Sequence, residues 1–215
     1  MSVRIVLADD HAIVREGLKR IVSSAADFDL VAEAADGTQV MERVRQLQFD
    51  VLVLDLSMPG RSGMELIKLV KAEQPKVRIL VLSMHQEMQY AVRAIKSGAS
   101  GYLTKESAPA QLEQAIRKIA AGGAYISAEV AEQLALGAMP GAHGVPHESL
   151  SDREFDVLRR LASGESVTAV AAALKLSVKT VSTHKTNGMA KMGLANESEL
   201  VRYALKHGLI DELGD

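Results

Sequence analysis

Up to about residue 121 the chain alternates short apolar runs with stretches of helical period. The runs lie near 3–8, 29–34, 50–54, 77–82 and 100–103. Between them, segments near 12–24, 37–47, 62–73, 85–97 and 108–121 space their apolar residues three and four apart, the mark of an amphipathic helix. Nearly continuous Val/Ile/Leu runs separated by helices predict strands buried on both faces, hence a parallel sheet. Five such β/α units imply an α/β fold, a doubly wound five-stranded parallel sheet covered by helices on both sides. Ser127 to Leu136 predicts one further short helix. The stretch Gly137-Ala-Met-Pro140-Gly-Ala-His-Gly144-Val-Pro146 is rich in Gly and Pro and has no apolar period. It reads as an interdomain linker.

From about residue 149 the pattern is helical only. Ser151-Asp-Arg-Glu154 has an N-cap Ser with Glu three residues on, a capping box. Leu158, Leu161 and Ala162 follow on one face and Gly164 ends the helix. A short Ala-rich helix from about Val167 to Leu174 leads into a turn at Leu176-Ser177. A longer third helix runs from about Val178 to Met192 and stops at Gly193, a C′ residue. A fourth spans about Asn196 to Lys206. Two short helices, a tight turn and a longer helix match the helix-turn-helix layout. The expected organisation is therefore an α/β domain over 1–121, a linker with a short helix over 122–147, and a small all-α domain over 148–215.

Four of the apolar runs end in polar groups: Asp9-Asp10, Asp55, Ser83 and Lys105. A parallel sheet delivers such groups to one carboxyl edge, where open α/β sheets place their sites. Three carboxylates together repel each other unless a cation sits between them. Oxygen-only ligands with no His or Cys nearby point to Mg²⁺ or a similar hard ion. An ionised Asp beside such an ion is a competent nucleophile towards phosphorus. Lys105 would form a second positive clamp and Ser83 would donate to a phosphoryl oxygen.

Bulk composition narrows the setting. A formal net charge of −2 gives no global basic signal, so any nucleic-acid contact has to come from a local patch. The absence of Cys excludes disulfides, Cys-ligated zinc and thiol chemistry, and suits a cytoplasmic protein. The first fifteen residues mix charges into a strand-like run and do not read as a signal peptide. No apolar stretch approaches the roughly 18 residues of a membrane span, so no membrane partner is expected.

The motifs Ala8-Asp9-Asp10-His11, Asp50 to Pro59, Val81-Leu-Ser83 and Tyr102-Leu-Thr-Lys105-Glu106 resemble the receiver domain of two-component response regulators, a flavodoxin-like fold. The resemblance implies that Asp55 accepts a phosphoryl group from a phosphohistidine on a cognate sensor histidine kinase. It implies Mg²⁺ bound by Asp10, Asp55 and the Ser57 carbonyl, with Asp9 acting through water. It further implies that Ser83 moves towards the phosphate and that Tyr102 changes rotamer with it. Ser57 and His85 would flank the phosphate and set its lifetime, although His85 would equally serve to cap the following helix.

In the third helix, Val181, Gly188 and Met192 form the core stripe, with His184 at its edge. Ser182, Thr183 and Thr186 lie across from it, with Lys179 at the start. Hydroxyls suit base edges and Lys suits phosphates. Between Glu165 and Glu197 there is no acid, while Lys175, Lys179, Lys185 and Lys191 all fall there. A solvated helical face would have the same composition, so the pattern alone leaves both readings open. Leu150-Ser-Asp-Arg-Glu154, Gly164-Glu-Ser166, Leu176-Ser-Val-Lys-Thr-Val181-Ser-Thr-His184 and Lys191-Met-Gly193-Leu194 resemble the LuxR-type helix-turn-helix. With the receiver-like part, the whole is similar to the NarL/FixJ class of response regulators. That implies a transcription regulator that binds double-stranded DNA, usually as a homodimer paired through the fourth helix. Lys179, Ser182, Thr183, Lys185 and Thr186 are the expected DNA contacts, Lys185 having to reach outward from beside the core stripe.

One position departs from the family. Gly188 stands mid-helix where an aliphatic side chain is usual. The expectation is a gap, filled at best by Met189 or Met192, and a weakened third helix. The rival reading of the Asp site is a phosphatase, which would carry a second Asp two residues after the nucleophile; Ser57 stands there. No enzymatic turnover is therefore expected beyond the domain's own phosphoryl transfer and aspartyl-phosphate hydrolysis.

Overall fold

Five strands, β1 (Val3–Ala8), β2 (Phe28–Ala34), β3 (Val51–Asp55), β4 (Arg78–Ser83) and β5 (Gly101–Thr104), form one parallel sheet in the order β2-β1-β3-β4-β5. The computed structural model describes residues 2–58, 63–84, 88–137 and 145–210. Pro59, Gly60, His85 and the linker stretch 138–144 lie outside the described residues. The strand order reverses between β1 and β3, which creates the crevice at the carboxyl edge where such sheets bind ligands. Register aligns the ends there: Ala8 pairs with Leu54, Asp55 with Leu82, and Ser83 with Thr104.

The sequence explains which strands are central. β3 is buried throughout, and β1 and β4 are buried along their last four and five residues. β5, at the edge, alternates buried and half-buried positions. Ile5, Leu7, Val51, Val53, Leu80 and Leu82 pack on one face with Leu18 and Val22 of α1 (Ala12–Ser24) and Leu112, Ile116 and Ile119 of α5 (Ala108–Ala120). By alternation, Val6, Leu52, Leu54, Ile79 and Val81 occupy the opposite face and are buried too. That is the side of α2 (Gly37–Gln46), α3 (Gly63–Glu73) and α4 (Met88–Lys96). Each such aliphatic contributes about 1.5–3 kcal/mol on burial, so the strand ends rest on a stiff platform.

Beyond α5 the chain does not go straight into a linker. Tyr125 forms a one-residue parallel bridge with Gly101. Its carbonyl accepts from Tyr102 N at 2.9 Å and its amide donates to Ser100 O at 3.1 Å. The next helix, α6 (Ala128–Gly137), buries Val130 against Ala91 and Val92 of α4, with Tyr102, Ile126 and Leu134 packed around them. The chain divides into two units, Met1–Ala135 and Leu136–Asp215, so most of the segment expected to be linker belongs with the first.

The second unit contains a 3-10 turn at Pro146–Ser149, followed by α7 (Asp152–Ala162), α8 (Val167–Leu174), α9 (Val178–Met192) and α10 (Glu197–Lys206). The capping box forms as the pattern requires: Ser151 Oγ accepts from Glu154 N, and Glu154 Oε2 accepts from Ser151 N at 2.8 Å. Glu154 Oε2 also takes Lys191 Nζ at 2.7 Å, so one buried carboxylate ties the start of α7 to the end of α9. Val157, Val170, Ala171 and Val181 make the core between α7, α8 and α9. At Gly193, φ is +67° and Leu194 N donates to Met189 O, a Schellman-type stop for α9.

Gly188 does not leave the expected gap. A Cβ added there would lie 2.8 Å from Leu158 Cδ1 and 3.2 Å from Leu158 Cγ. Leu158 of α7 therefore occupies the space that an aliphatic side chain would need, rather than Met189 or Met192 filling it. The helix runs unbroken through the glycine. With no cavity, the remaining penalty is the helix propensity of Gly, about 1 kcal/mol.

Candidate functional site

Three side chains from three strand ends meet at the crevice. Asp9 follows β1, Asp55 ends β3 and Lys105 follows β5. Asp55 is fully buried, and Asp9 and the Lys105 side chain are 2% and 7% exposed. Lys105 Nζ stands 2.8 Å from Asp55 Oδ2 and 2.7 Å from Asp9 Oδ2, bridging the two carboxylates. Asp55 Oδ1 accepts the Ser57 N–H at 2.9 Å, and Asp9 Oδ1 accepts the His11 N–H at 2.8 Å. Asp10 points to the more open side, its side chain 24% exposed, with His11 Nδ1 at 2.9 Å from Oδ1. Ser83 is buried at the end of β4, and its carbonyl accepts the Lys105 N–H at 2.8 Å.

The electrostatics are unbalanced. Burial pushes the Asp55 carboxyl above its ordinary range and the Asp9 charge adds to this, while Lys105 and the Ser57 N–H pull it back. Burial works against the Lys105 ammonium, but its bonds to Asp55 and Asp9 outweigh that and raise its pKa. One ammonium faces three carboxylates. Asp9 Oδ2 and Asp10 Oδ1 are buried and lack a directed hydrogen bond among the described residues. The Lys105 and His11 nitrogens lie at ion-pair distance from these oxygens, 2.7 and 2.9 Å away. One donor atom from each of Asp9, Asp10, His11 and Asp55 falls within 4.8 Å of the others. A hard divalent cation fits this mainly oxygen donor set, which offers excess negative charge and unsatisfied oxygens.

Tyr102 sits one strand away, half-buried, on the face that α6 covers. A groove of about 520 Å³ opens beside it, lined by Met88, Thr104, Gln111, Ile126 and Glu129 among others. Sequence reasoning missed both this cover and the place of His11 beside Asp10. The His11 signal lay in the Ala8-Asp9-Asp10-His11 motif itself, whereas a one-residue bridge at Tyr125 leaves no pattern to read.

In the second unit, α9 has a bare outer face. Lys179, Ser182, Thr183 and Thr186 are all exposed on it, together with Val178 and Asn187. Val181, Gly188, Met189 and Met192 face inward. Ser177 caps the helix, accepting from Thr180 N at 3.0 Å. Thr183 Oγ1 donates to the Lys179 carbonyl at 3.0 Å, so its hydroxyl is left as an acceptor. Lys185 is ion-paired with Glu197 in the first turn of α10. Of the four lysines in the acid-free stretch, Lys185 and Lys191 are thus engaged within the protein, and Lys175 and Lys179 are exposed. Among the described residues, no helix is long and apolar enough to cross a membrane.

Two family models match the chain. Residues 5–117 match the response regulator receiver domain, and residues 148–204 match the bacterial regulatory proteins of the luxR family. The chain is 33% identical over 210 residues to the response regulator GacA of Pseudomonas aeruginosa, covering 97% of this chain and 98% of GacA. It is 38% identical over 215 residues to the oxygen regulatory protein NreC of Staphylococcus carnosus, covering 97% and 99% of the two. Among solved structures, RcsB of Salmonella enterica serovar Typhimurium bound to the promoter P1flhDC in the presence of phosphomimetic BeF3⁻ is similar with a TM-score of 0.66. That match has 30% identity and covers 96% of this chain and all of the RcsB chain. RcsB has also been solved as two dimers bound to two parallel DNAs, with a TM-score of 0.59, 30% identity and coverage of 94% of this chain and 98% of the RcsB chain.

Proposed function

This chain belongs to the response regulators of the NarL/FixJ class, a receiver domain joined to a LuxR-type DNA-binding domain, and we propose that phosphorylation of Asp55 by a sensor histidine kinase governs its binding to duplex DNA. The observation that carries this is the Lys105 ammonium bridging the buried Asp55 and Asp9 carboxylates at 2.8 and 2.7 Å. It is a cation already placed beside a nucleophile-grade carboxylate at a ligand-binding crevice.

Asp55 acts as the nucleophile. A carboxylate oxygen forms the new P–O bond while the P–N bond of phosphohistidine breaks, its electron pair staying on the imidazole. Lys105 holds an equatorial phosphoryl oxygen, and the Ser57 N–H keeps the carboxylate oriented. Asp10, Asp55 and the Ser57 carbonyl would hold Mg²⁺, with Asp9 through water; the ion supplies neutralisation of charge on the phosphoryl group. The buried Ser83 hydroxyl then turns to the phosphate, and Tyr102 moves into the space it vacates. The population shifts towards a state in which two copies pair on DNA through α10. RcsB bound to DNA as dimers supports that last step.

The outer face of α9 supplies the contacts. Ser182 and Thr186 offer hydroxyls to base edges, Thr183 an acceptor, and Lys179 a phosphate contact. Lys185 reaches a phosphate only by leaving Glu197. Small phosphate esters are not turned over, because Ser57 stands where the acid-base Asp of a phosphatase would be.

The test is DNA selected from random sequence by the full chain, then titrated with and without acetyl phosphate and Mg²⁺. Treatment is expected to tighten binding by the parent protein and to leave Asp55→Ala unchanged. Equal stimulation of Asp55→Ala would overturn the mechanism.

A further inference from the structure

We propose that Val178 is a specificity-determining residue that reads the methyl group of a thymine in each DNA half-site. The inference deepens the proposed function and rests on its DNA-binding part. Val178 is the first residue of α9, and it is 48% exposed while the inward stripe of the same helix is buried. In helix-turn-helix proteins the N-terminal residues of this helix approach base edges. A single exposed aliphatic is ordinary on a protein surface. Its position at the reading end, next to the exposed Lys179, is not.

The rest of the face narrows what can be read. It carries no Arg, the side chain best matched to guanine O6 and N7. The Thr183 hydroxyl donates to the Lys179 carbonyl, and the hydroxyls of Ser177 and Thr180 bond each other at 2.7 Å. Lys185 is paired with Glu197. Polar readout is left to Lys179, Ser182, Thr186 and Asn187 and to Thr183 as an acceptor only, while Val178 offers a purely apolar surface. In the major groove the C5-methyl of thymine is the apolar feature of the base edges. A valine there distinguishes thymine from the other three bases by methyl contact alone.

Deoxyuridine substitution removes that methyl and leaves every hydrogen-bonding group of the base in place. The probe is the duplex selected from random sequence by the full chain after acetyl phosphate and Mg²⁺ treatment, with each thymine replaced in turn. One thymine per half-site is expected to lose about fourfold in affinity on replacement, the worth of one buried methylene. In Val178→Ala the same replacement is expected to have no effect, the two changes removing the two sides of one contact. Circular dichroism checks that the variant is folded. Should Val178→Ala disturb the helix start, Val178→Ser removes both γ-methyl groups with a residue suited to a helix start and is expected to lose the same discrimination. A deoxyuridine penalty that persists undiminished in the folded variant, or no methyl-sensitive thymine in the parent, overturns the proposal. Selection of no sequence at all overturns the DNA-binding reading, and this inference with it.

Discussion

The receiver crevice and the outer face of α9 are built on opposite principles. In the crevice, Asp9, Asp55 and Lys105 come from three different strand ends, are almost wholly buried, and are held by one another at 2.7–2.8 Å. On α9, Lys179, Ser182, Thr183 and Thr186 come from three turns of one helix and stand in solvent. Burial makes the first site pre-organised and electrostatically strained, since one ammonium faces three carboxylates. Exposure makes the second adaptable, and its available charge depends on which lysines the protein itself already holds. A site for a small, hard, highly charged group suits the first design; a long, sequence-variable polyanion suits the second.

The largest effect should appear in the strained site. Mg²⁺ binding only to the folded receiver stabilises it by about 2.7 kcal/mol at a hundredfold excess over its dissociation constant. A thermal melt is expected to show this rise for the parent and to lose most of it in Asp55→Asn. Without Mg²⁺, Asp55→Asn should melt higher than the parent at neutral pH. The folded pKa of Asp55 is raised, so the protonated form is the one folding favours, and that advantage disappears as pH rises through the folded value. A lower melting temperature for Asp55→Asn would mean that Lys105 already balances the site.

Next in size is Gly188→Leu. The branched side chain would collide with Leu158, and overpacking of this kind costs typically about 1–3 kcal/mol. A fall in the melting temperature of the second transition is expected. A rise would restore the idea of an unfilled gap.

Glu154 gives a smaller effect with a pH signature. Burial pushes its carboxyl up, but Lys191 and the Ser151 groups more than offset this, leaving its pKa below the ordinary 4.5. A depressed folded pKa adds stability above about pH 4.5 that is lost as pH falls through the folded value. Glu154→Gln should flatten the acid limb of the stability curve and lower the plateau by about 0.5–2 kcal/mol, the range for a lost cap. An unchanged acid limb would show that the link to Lys191 is not maintained in solution.

The smallest difference sharpens the exposed side of the comparison. Lys179→Ala should reduce the salt dependence of DNA binding by about one unit of log–log slope. Lys185→Ala should reduce it by less, because Glu197 already neutralises that ammonium. Equal slopes for the two variants would mean that Lys185 leaves Glu197 on binding.

Much of the receiver is legible in the amino-acid sequence, because strand ends are addressable by position. A run such as Val51-Leu-Val-Leu-Asp55 says where its last residue goes once the sheet is recognised. The helix ends are equally plain at Ser151, Ser177 and Gly193, where capping chemistry is local. What escapes a reading of the chain depends on contacts between distant residues. Leu158 fills the space beside Gly188 from thirty positions away, and Lys191 reaches back to Glu154 across the domain. The Lys185–Glu197 pair removes a charge that a count of lysines includes. None of these leaves a period or a motif. The expectation of a void at Gly188 fails because the space beside a missing side chain in one helix is decided by its neighbour in another.

The strand-like contact at Tyr125 changes where the receiver ends as a module. With Tyr125 bridged to Gly101 and Val130 buried against Ala91 and Val92, the polypeptide supplies its own lining for the β5 flank of the sheet. Cutting after Ala120 would strip that lining and leave an adhesive surface in its place. A genetic fusion that exchanges output domains should therefore be spliced beyond Leu134, so that the receiver carries its own wrapping into the chimera.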